Sequence, residues 1–151
     1  MRWYCLAFSD LNVDQLFELL KLRADVFVVE QNCVYHDLDH HDRNPQTRHL
    51  LGFEGKILVT YLRLLPPNTT YSECAIGRLV VHPNYRQQGN AHLLLKQGIE
   101  QAKKIWPNIP CLQLGAQAHL QQFYQLHGFT SISAVYLEDG IPHIDMEKRF
   151  V

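Results

Sequence analysis

The sequence has no apolar run approaching the roughly 18 residues that a membrane-crossing helix needs. Its opening residues, Met1-Arg2-Trp3-Tyr4-Cys5, lead into none either. No membrane partner is expected, and a cytoplasmic protein is. Neither sign of charge is in excess, because 14 Lys and Arg stand against 15 Asp and Glu, a formal net charge of -1. That leaves no broad cationic surface for a polyphosphate backbone, so nucleic acid is not an expected partner. Cysteine is sparse. Cys5, Cys33, Cys74 and Cys111 form no Cys-x-x-Cys pair, and a chain of 151 residues, 46% hydrophobic, is long enough to bury a core without disulfides. The four read as reduced thiols. Also missing are Gly-x-Gly-x-x-Gly and Gly-Lys-Ser/Thr, which argues against binding of dinucleotides and nucleoside triphosphates. No repeat, linker or low-complexity stretch divides the chain, so residues 1–151 are expected to form a single domain.

What is present alternates between helical and strand periods. Asn12-Val13-Asp14-Gln15 has the form of a capping box, and Leu16, Leu19, Leu20, Arg23 and Phe27 recur at three and four, predicting a helix to about Val29. Residues Gln31 to Gln46 are polar and read as a long loop. The period then becomes two: strands are predicted at His49–Phe53 and Ile57–Leu65 around a Glu54-Gly55 turn, with Pro66-Pro67 closing the second. A strand at Cys74–Val81 feeds through Pro83 and a glycine-bearing turn into a helix whose buried side is Leu94, Leu95, Ile99, Ala102 and Ile105. A strand at Cys111–Gly115, a helix at His119–His127 stopped by Gly128, and a hairpin of Ser131–Glu138 with Ile141–Arg149 complete the chain. Asp139-Gly140 suits a type I′ turn, since both positions tolerate positive φ.

The strand–turn–helix unit from Ile76 to Leu95 carries the chemistry. The first turn of a helix presents unpaired N–H groups and a partial positive charge, so a small-residue turn entering it can cradle a pyrophosphate. Gly89 and Ala91 leave that backbone uncovered. Arg86 and Gln87 are candidate side-chain donors, and His92 in the first turn can reach the same anion.

Arg86-Gln87-Gln88-Gly89-Asn90-Ala91 after a strand resembles the acetyl-CoA motif of the GNAT acetyltransferases, (Gln/Arg)-x-x-Gly-x-(Gly/Ala). Phe123-Tyr124-Gln125-Leu126-His127-Gly128-Phe129 is similar to that family's Tyr-x-x-x-Gly-Phe element. Further stretches resemble its ElaA-type branch: Val26 to Gln31, Leu114 to His119 and Glu138 to His143. The resemblance implies an α/β (α+β) fold with a central mixed, mostly antiparallel, V-splayed sheet flanked by helices. It implies an acyl-donor substrate, acetyl-CoA, with pantetheine beside Leu79, Val80 and Val81, pyrophosphate on the amides of Gln88, Gly89, Asn90, Ala91 and His92, and Gln117 where many relatives contact CoA through Asn. It implies no metal.

The implied reaction moves an acetyl group directly to a primary amine. Tyr124 is then the acid that protonates the leaving thiolate, although its place on an amphipathic helix suits a core tyrosine too. For the base the sequence offers Glu30 first, His143 second, and a water chain as a third route. His36, Asp37, Asp39, His40, His41 and Asp42 crowd into seven positions, but their spacing matches no zinc signature, and Asp37, Asp39 and Asp42 are expected to draw in a cationic acceptor. Arg23 with Phe27 and Glu30 also resembles acyl-homoserine lactone synthases, which leaves open an acyltransferase with a longer donor; Arg23 equally suits a helix-surface charge or an ion pair with a loop aspartate. A CoA-binding regulatory module without turnover is the third reading. The acceptor is a small-molecule or peptide amine, and a homodimer through the final hairpin is possible for such a fold.

Overall fold

The computed structural model describes residues 1–150. Along the chain run β1 (Arg2–Leu6), α1 (Val13–Arg23), β2 (Arg48–Glu54), β3 (Ile57–Leu65), β4 (Ala75–Val81), α2 (Asn90–Ile105), β5 (Cys111–Gln117), α3 (Gln121–Gln125), β6 (Thr130–Ser131), β7 (Tyr136–Glu138) and β8 (Ile141–Arg149). The strands make one sheet in the order β1-β2-β3-β4-β5-β8-β6, with β7 also on β8. Every pairing is antiparallel except β4 with β5. This is the mixed, mostly antiparallel sheet that the sequence resemblance implied.

The alternation of each strand divides its side chains between two cores. Leu50, Leu62, Leu64, Ile76, Leu112, Leu114 and Met146 point to the side covered by α2, and Leu51, Leu58, Tyr61 and Val80 to the side covered by α1. Gly98 lets α2 press close to β3, since a Cβ there would stand 2.7 Å from Leu62 Cδ2. No helix among the described residues is long and apolar enough to cross a membrane.

Three elements differ from the sequence reading. The capping box is present, with Gln15 N–H donating to Asn12 Oδ1 at 2.7 Å, but the first α-helix stops at Arg23 and continues as a π-helical stretch, Ala24–Glu30. Its wider turns close through bonds such as Cys33 N–H to the Val28 carbonyl, in a run whose β-branched Val26, Val28 and Val29 favour the α-form weakly. The expected strand Ser131–Glu138 is broken into β6 and β7, because between them Ile132 N–H donates to the Asp145 carbonyl and Ser133 Oγ accepts from Asp145 N–H. The helix expected from His119 to His127 is a 3-10 turn, Ala118–Leu120, followed by the short α3. Asp139 and Gly140 do both take positive φ, at 50° and 76°.

The sheet opens at its centre. Register between β3 and β4 slips where Tyr61↔Val80 gives way to Arg63↔Gly77, so that three steps on β4 oppose two on β3. Arg78 takes up the extra residue with φ at 52°. Such a bulge bends its strand, and β4 leaves β5 after a single registered pair, Ala75↔Gln113. Gln113 N–H still reaches the Cys74 carbonyl at 2.9 Å. Beyond it, strand alternation aims the main-chain groups of Gly115 and Gln117 into the gap.

Candidate active site

One wall of that gap is the outer half of β4. His82 N–H donates to Val59 on β3 at 2.7 Å, so alternation turns Val80 to β3 and the N–H groups of Leu79 and Val81 to the gap. Val80 is thereby a side chain of the core under α1 rather than a main-chain partner in the opening. The strand then reaches the turn before α2. Gln87 and Gly89 adopt positive φ, 60° and 81°, and Asn90 Nδ2 fixes the loop by donating to the Tyr85 carbonyl at 2.9 Å. Successive N–H groups in such a turn converge on a concavity suited to anions. The first helical bond is Leu93 N–H to the Gly89 carbonyl, leaving the N–H groups ahead of it without helical partners. A Cβ at Gly89 would meet nothing within 4 Å, so the space before the turn is open.

Two of the side chains expected to add to this turn, Arg86 and His92, are differently engaged. Arg86 spans to Glu30 through both terminal nitrogens, each 2.7 Å from a carboxylate oxygen. His92 Nδ1 lies 2.9 Å from His127 Nε2 and its ring packs on Phe123, so it joins α2 to the segment after α3. Gln88, Gly89 and His92 are exposed, while Asn90 and Ala91 are half-buried. Across the opening Gln117 Nε2 donates to Gln31 Oε1 at 3.3 Å, which ties the far end of β5 to the segment after the π-helical stretch.

Tyr124 projects from α3 into the core shared with Leu114 and Ala116 of β5. It is edge-on to Phe123 and Phe129, and burial alone pushes its phenol up to about 12. The phenol therefore keeps its proton at neutral pH. Glu30 is exposed, and the Arg86 guanidinium holds its carboxyl below the usual carboxylate range. A lowered pKa of that kind weakens a carboxylate as a base. His143 on β8 is half-buried. Its Nδ1 lies 2.7 Å from the Ile141 carbonyl, which can only accept, so Nδ1 carries a hydrogen, and its Nε2 stands 3.6 Å from Glu138 Oε2.

Contrary to the expectation from sequence, Asp37, Asp39 and Asp42 are not free to lure cations, because arginines of the protein already pair with all three. Arg23, Asp37, Arg78, Asp39, Arg63 and Asp42 form a closed ring of alternating charge, with successive contacts of 2.9, 2.9, 3.5, 2.7, 2.9 and 2.7 Å. Arg23 is 0% exposed, Asp37 5% and Asp42 6%. So Arg23 is the ion-pair partner of loop aspartates and not a helix-surface charge. The ring folds the long loop onto the face covered by α1. Its arginines hold the carboxyls of Asp42 and Asp39 below the usual range against the opposing pull of burial. Beside it His49 accepts from Tyr61 Oη through Nδ1 and donates to the Asp42 carbonyl through Nε2, at 2.7 and 3.0 Å. Among the described residues no group of three or more His, Cys, Asp or Glu side chains is gathered to hold a metal.

Three residues missed by the sequence reading meet at the gap. Tyr71 from the β3–β4 loop and Tyr136 from β7 both donate to Asp145 Oδ1, at 2.8 and 2.6 Å, above Gly115 of β5. Polar alternation along β8, His143-Ile144-Asp145-Met146-Glu147, was the signal that could have marked Asp145; nothing local marks Tyr71. A separate concavity of about 560 Å³ beside Lys103, Ile109, Lys148 and Phe150 includes none of these residues.

A mixed sheet flanked by helices, whose one parallel strand pair parts on the way to a glycine-bearing helix entry, is the architecture of the GNAT fold. The family model described as an acetyltransferase (GNAT) domain matches residues 18–150, and the chain belongs to that family. It is 43% identical to the protein ElaA of Escherichia coli over 151 residues, covering 100% of this chain and 98% of that one. The crystal structure of E. coli ElaA superposes with a TM-score of 0.91 at 42% identity, covering 98% and 99% of the two chains. An acyl-CoA N-acyltransferase from Pseudomonas aeruginosa superposes at 0.92 with 41% identity, covering 97% and 98%. An aminoglycoside 6'-N-acetyltransferase complexed with coenzyme A, 15% identical, shares the fold at 0.71 over 97% and 96%.

Proposed function

We propose that this protein transfers the acetyl group of acetyl-CoA directly to a primary amine. The observation that carries the reading is the parting of β4 from β5 on the strand that runs on to the glycine-bearing entry to α2. Gly115 and Ala116 are neighbours on β5, so their side chains face opposite sides of the sheet. The Ala116 side holds Tyr124, and the Gly115 side holds Asp145 and His143. A thioester lying in the gap would have an acid on one side of the sheet and room for the acceptor on the other. An acyl-CoA N-acyltransferase among the structural relatives, and a protein of this fold complexed with coenzyme A, support a CoA-linked donor.

The amine first gives up a proton, for which His143 Nε2 is the proposed acceptor. Its nitrogen then attacks the thioester carbonyl, the C–S bond breaks, and the sulfur leaves with the proton of Tyr124. Loss of the second amine proton restores the tyrosine, and one proton is released in the net reaction. Leu79 and Val81 would supply N–H groups to the donor along the gap, and residues 88 to 92 would hold its diphosphate. The test is a panel of primary amines incubated with acetyl-CoA while free thiol is followed. Tyr124→Phe should lower kcat about 100-fold or more on the best amine, within the usual range for loss of a general acid. Full turnover in that variant removes the acid assignment.

A further inference from the structure

We propose that Asp145 is the seat of the acceptor's ammonium group, aimed by Tyr71 and Tyr136, and hence that the acceptor is a positively charged amine; this rests on the acyltransferase reading above. Both phenols donate to the same oxygen, Oδ1, so Oδ2 is engaged by neither. The backbone of Asp145 is pinned as well, its N–H donating to Ser133 Oγ at 2.9 Å and its carbonyl accepting from Ile132 at 2.8 Å. Three separate segments thus hold one carboxylate in a fixed direction. Among the described residues no lysine, arginine or histidine nitrogen lies within 4.0 Å of it, in contrast to Asp37, Asp39 and Asp42, which are all paired with arginines. A half-buried carboxylate without a counter-cation is costly, and a ligand that brings the cation relieves the cost.

Its location fits a substrate rather than a structural pin alone. Asp145 is directly opposite Gly115, two residues beyond the last β4–β5 pair. Gly115 is exposed although its strand lies inside the sheet, because β4 has already turned away. A Cβ at Gly115 would lie 2.7 Å from Tyr71 Oη and 3.2 Å from Tyr136 Oη. Only a glycine lets both phenols close over the strand. The ring of Tyr136 also stacks on His143, 6.1 Å between centroids, and so links the anchoring carboxylate to the group proposed to take the amine's proton. Asp145 acts here as a binding and positioning residue.

Asp145→Asn separates charge from support, because the amide oxygen can still accept from both phenols. The KM for a cationic amine should rise about 10- to 100-fold, as expected for a lost hydrogen bond to a charged group. The KM for acetyl-CoA and the thermal stabilisation by CoA should be unchanged. With hydroxylamine, which is uncharged at neutral pH, the KM should not move. An unchanged KM for the cationic amine overturns the proposal, as does a loss shared equally by the uncharged nucleophile. If the wild type acetylates no amine, the transferase reading fails first, and the same pair of proteins is compared by the melting-temperature shift that putrescine gives the CoA-saturated protein. A shift present in the wild type and absent in Asp145→Asn supports the site; no difference between the two proteins overturns it.

Discussion

Replacing Arg23 by methionine removes one corner of the buried charge ring while keeping most of the side chain's apolar length. Arg23 donates to Asp37 Oδ2 at 2.9 Å, to Asp42 Oδ1 and Oδ2 at 2.7 and 3.1 Å, and to the Asp37 carbonyl at 2.8 Å, all without exposure to solvent. Three arginines balance three aspartates in the intact ring; after the change two arginines face three. Breaking a buried pair from one side costs about 3–5 kcal/mol, since the remaining charge stays desolvated. That is a large part of the roughly 5–15 kcal/mol that holds a domain folded. At about 2–4 °C per kcal/mol for a chain of this size, the midpoint should fall by about 6–20 °C. Urea unfolding followed by far-ultraviolet circular dichroism measures the change, with an unaltered m-value showing that the denatured state is the same. Restoring neutrality with Arg23→Met/Asp42→Asn should make the double change cost less than the sum of the single ones, by about 0.5–3 kcal/mol. A loss below about 1 kcal/mol for Arg23→Met, or strict additivity in the cycle, refutes the account of the ring as a mutually dependent buried unit.

Two further outcomes follow from the same structure. His49 is buried neutral, and its pKa is lowered from 6.5, chiefly by desolvation. Protons then bind the unfolded chain more readily, so stability should fall as pH drops from about 7 towards 5, and His49→Gln should flatten that part of the melting profile. A slope identical in both proteins would count against His49 as its source. Gly89→Glu places a like charge where the diphosphate is proposed to bind and forces a non-glycine residue into the left-handed region, at about 1–2 kcal/mol. Stabilisation by CoA should vanish while the variant stays folded, and Gly89→Ala should retain part of it; an undiminished thermal shift with Gly89→Glu removes the proposed cradle.

Local sequence determined much of this molecule because its signals depend on near neighbours. The cap at Asn12, the left-handed Asp139-Gly140 turn and the glycine entry to α2 each lie within a few residues, where backbone sterics and helix-end donors act directly. The strand periods of β2, β3 and β8 were legible for the same reason, and the motif around Gly89 with that around Tyr124 was enough to indicate the family. Tertiary structure alone decided where the charges of the long loop go. Asp37, Asp39 and Asp42 look like solvated residues in one dimension, and only the return of β3 and β4 beside α1 brings Arg63 and Arg78 to them. The bulge at Arg78 is equally invisible locally, since it satisfies a mismatch between two strands rather than a preference of arginine. Tyr71 and Asp145 are 74 residues apart and meet because β8 inserts next to β5 while the β3–β4 loop folds over Gly115. A short-range code writes caps, turns and periods; a carboxylate's partner is set by the free energy of burying it, which exists only once the chain has closed around it.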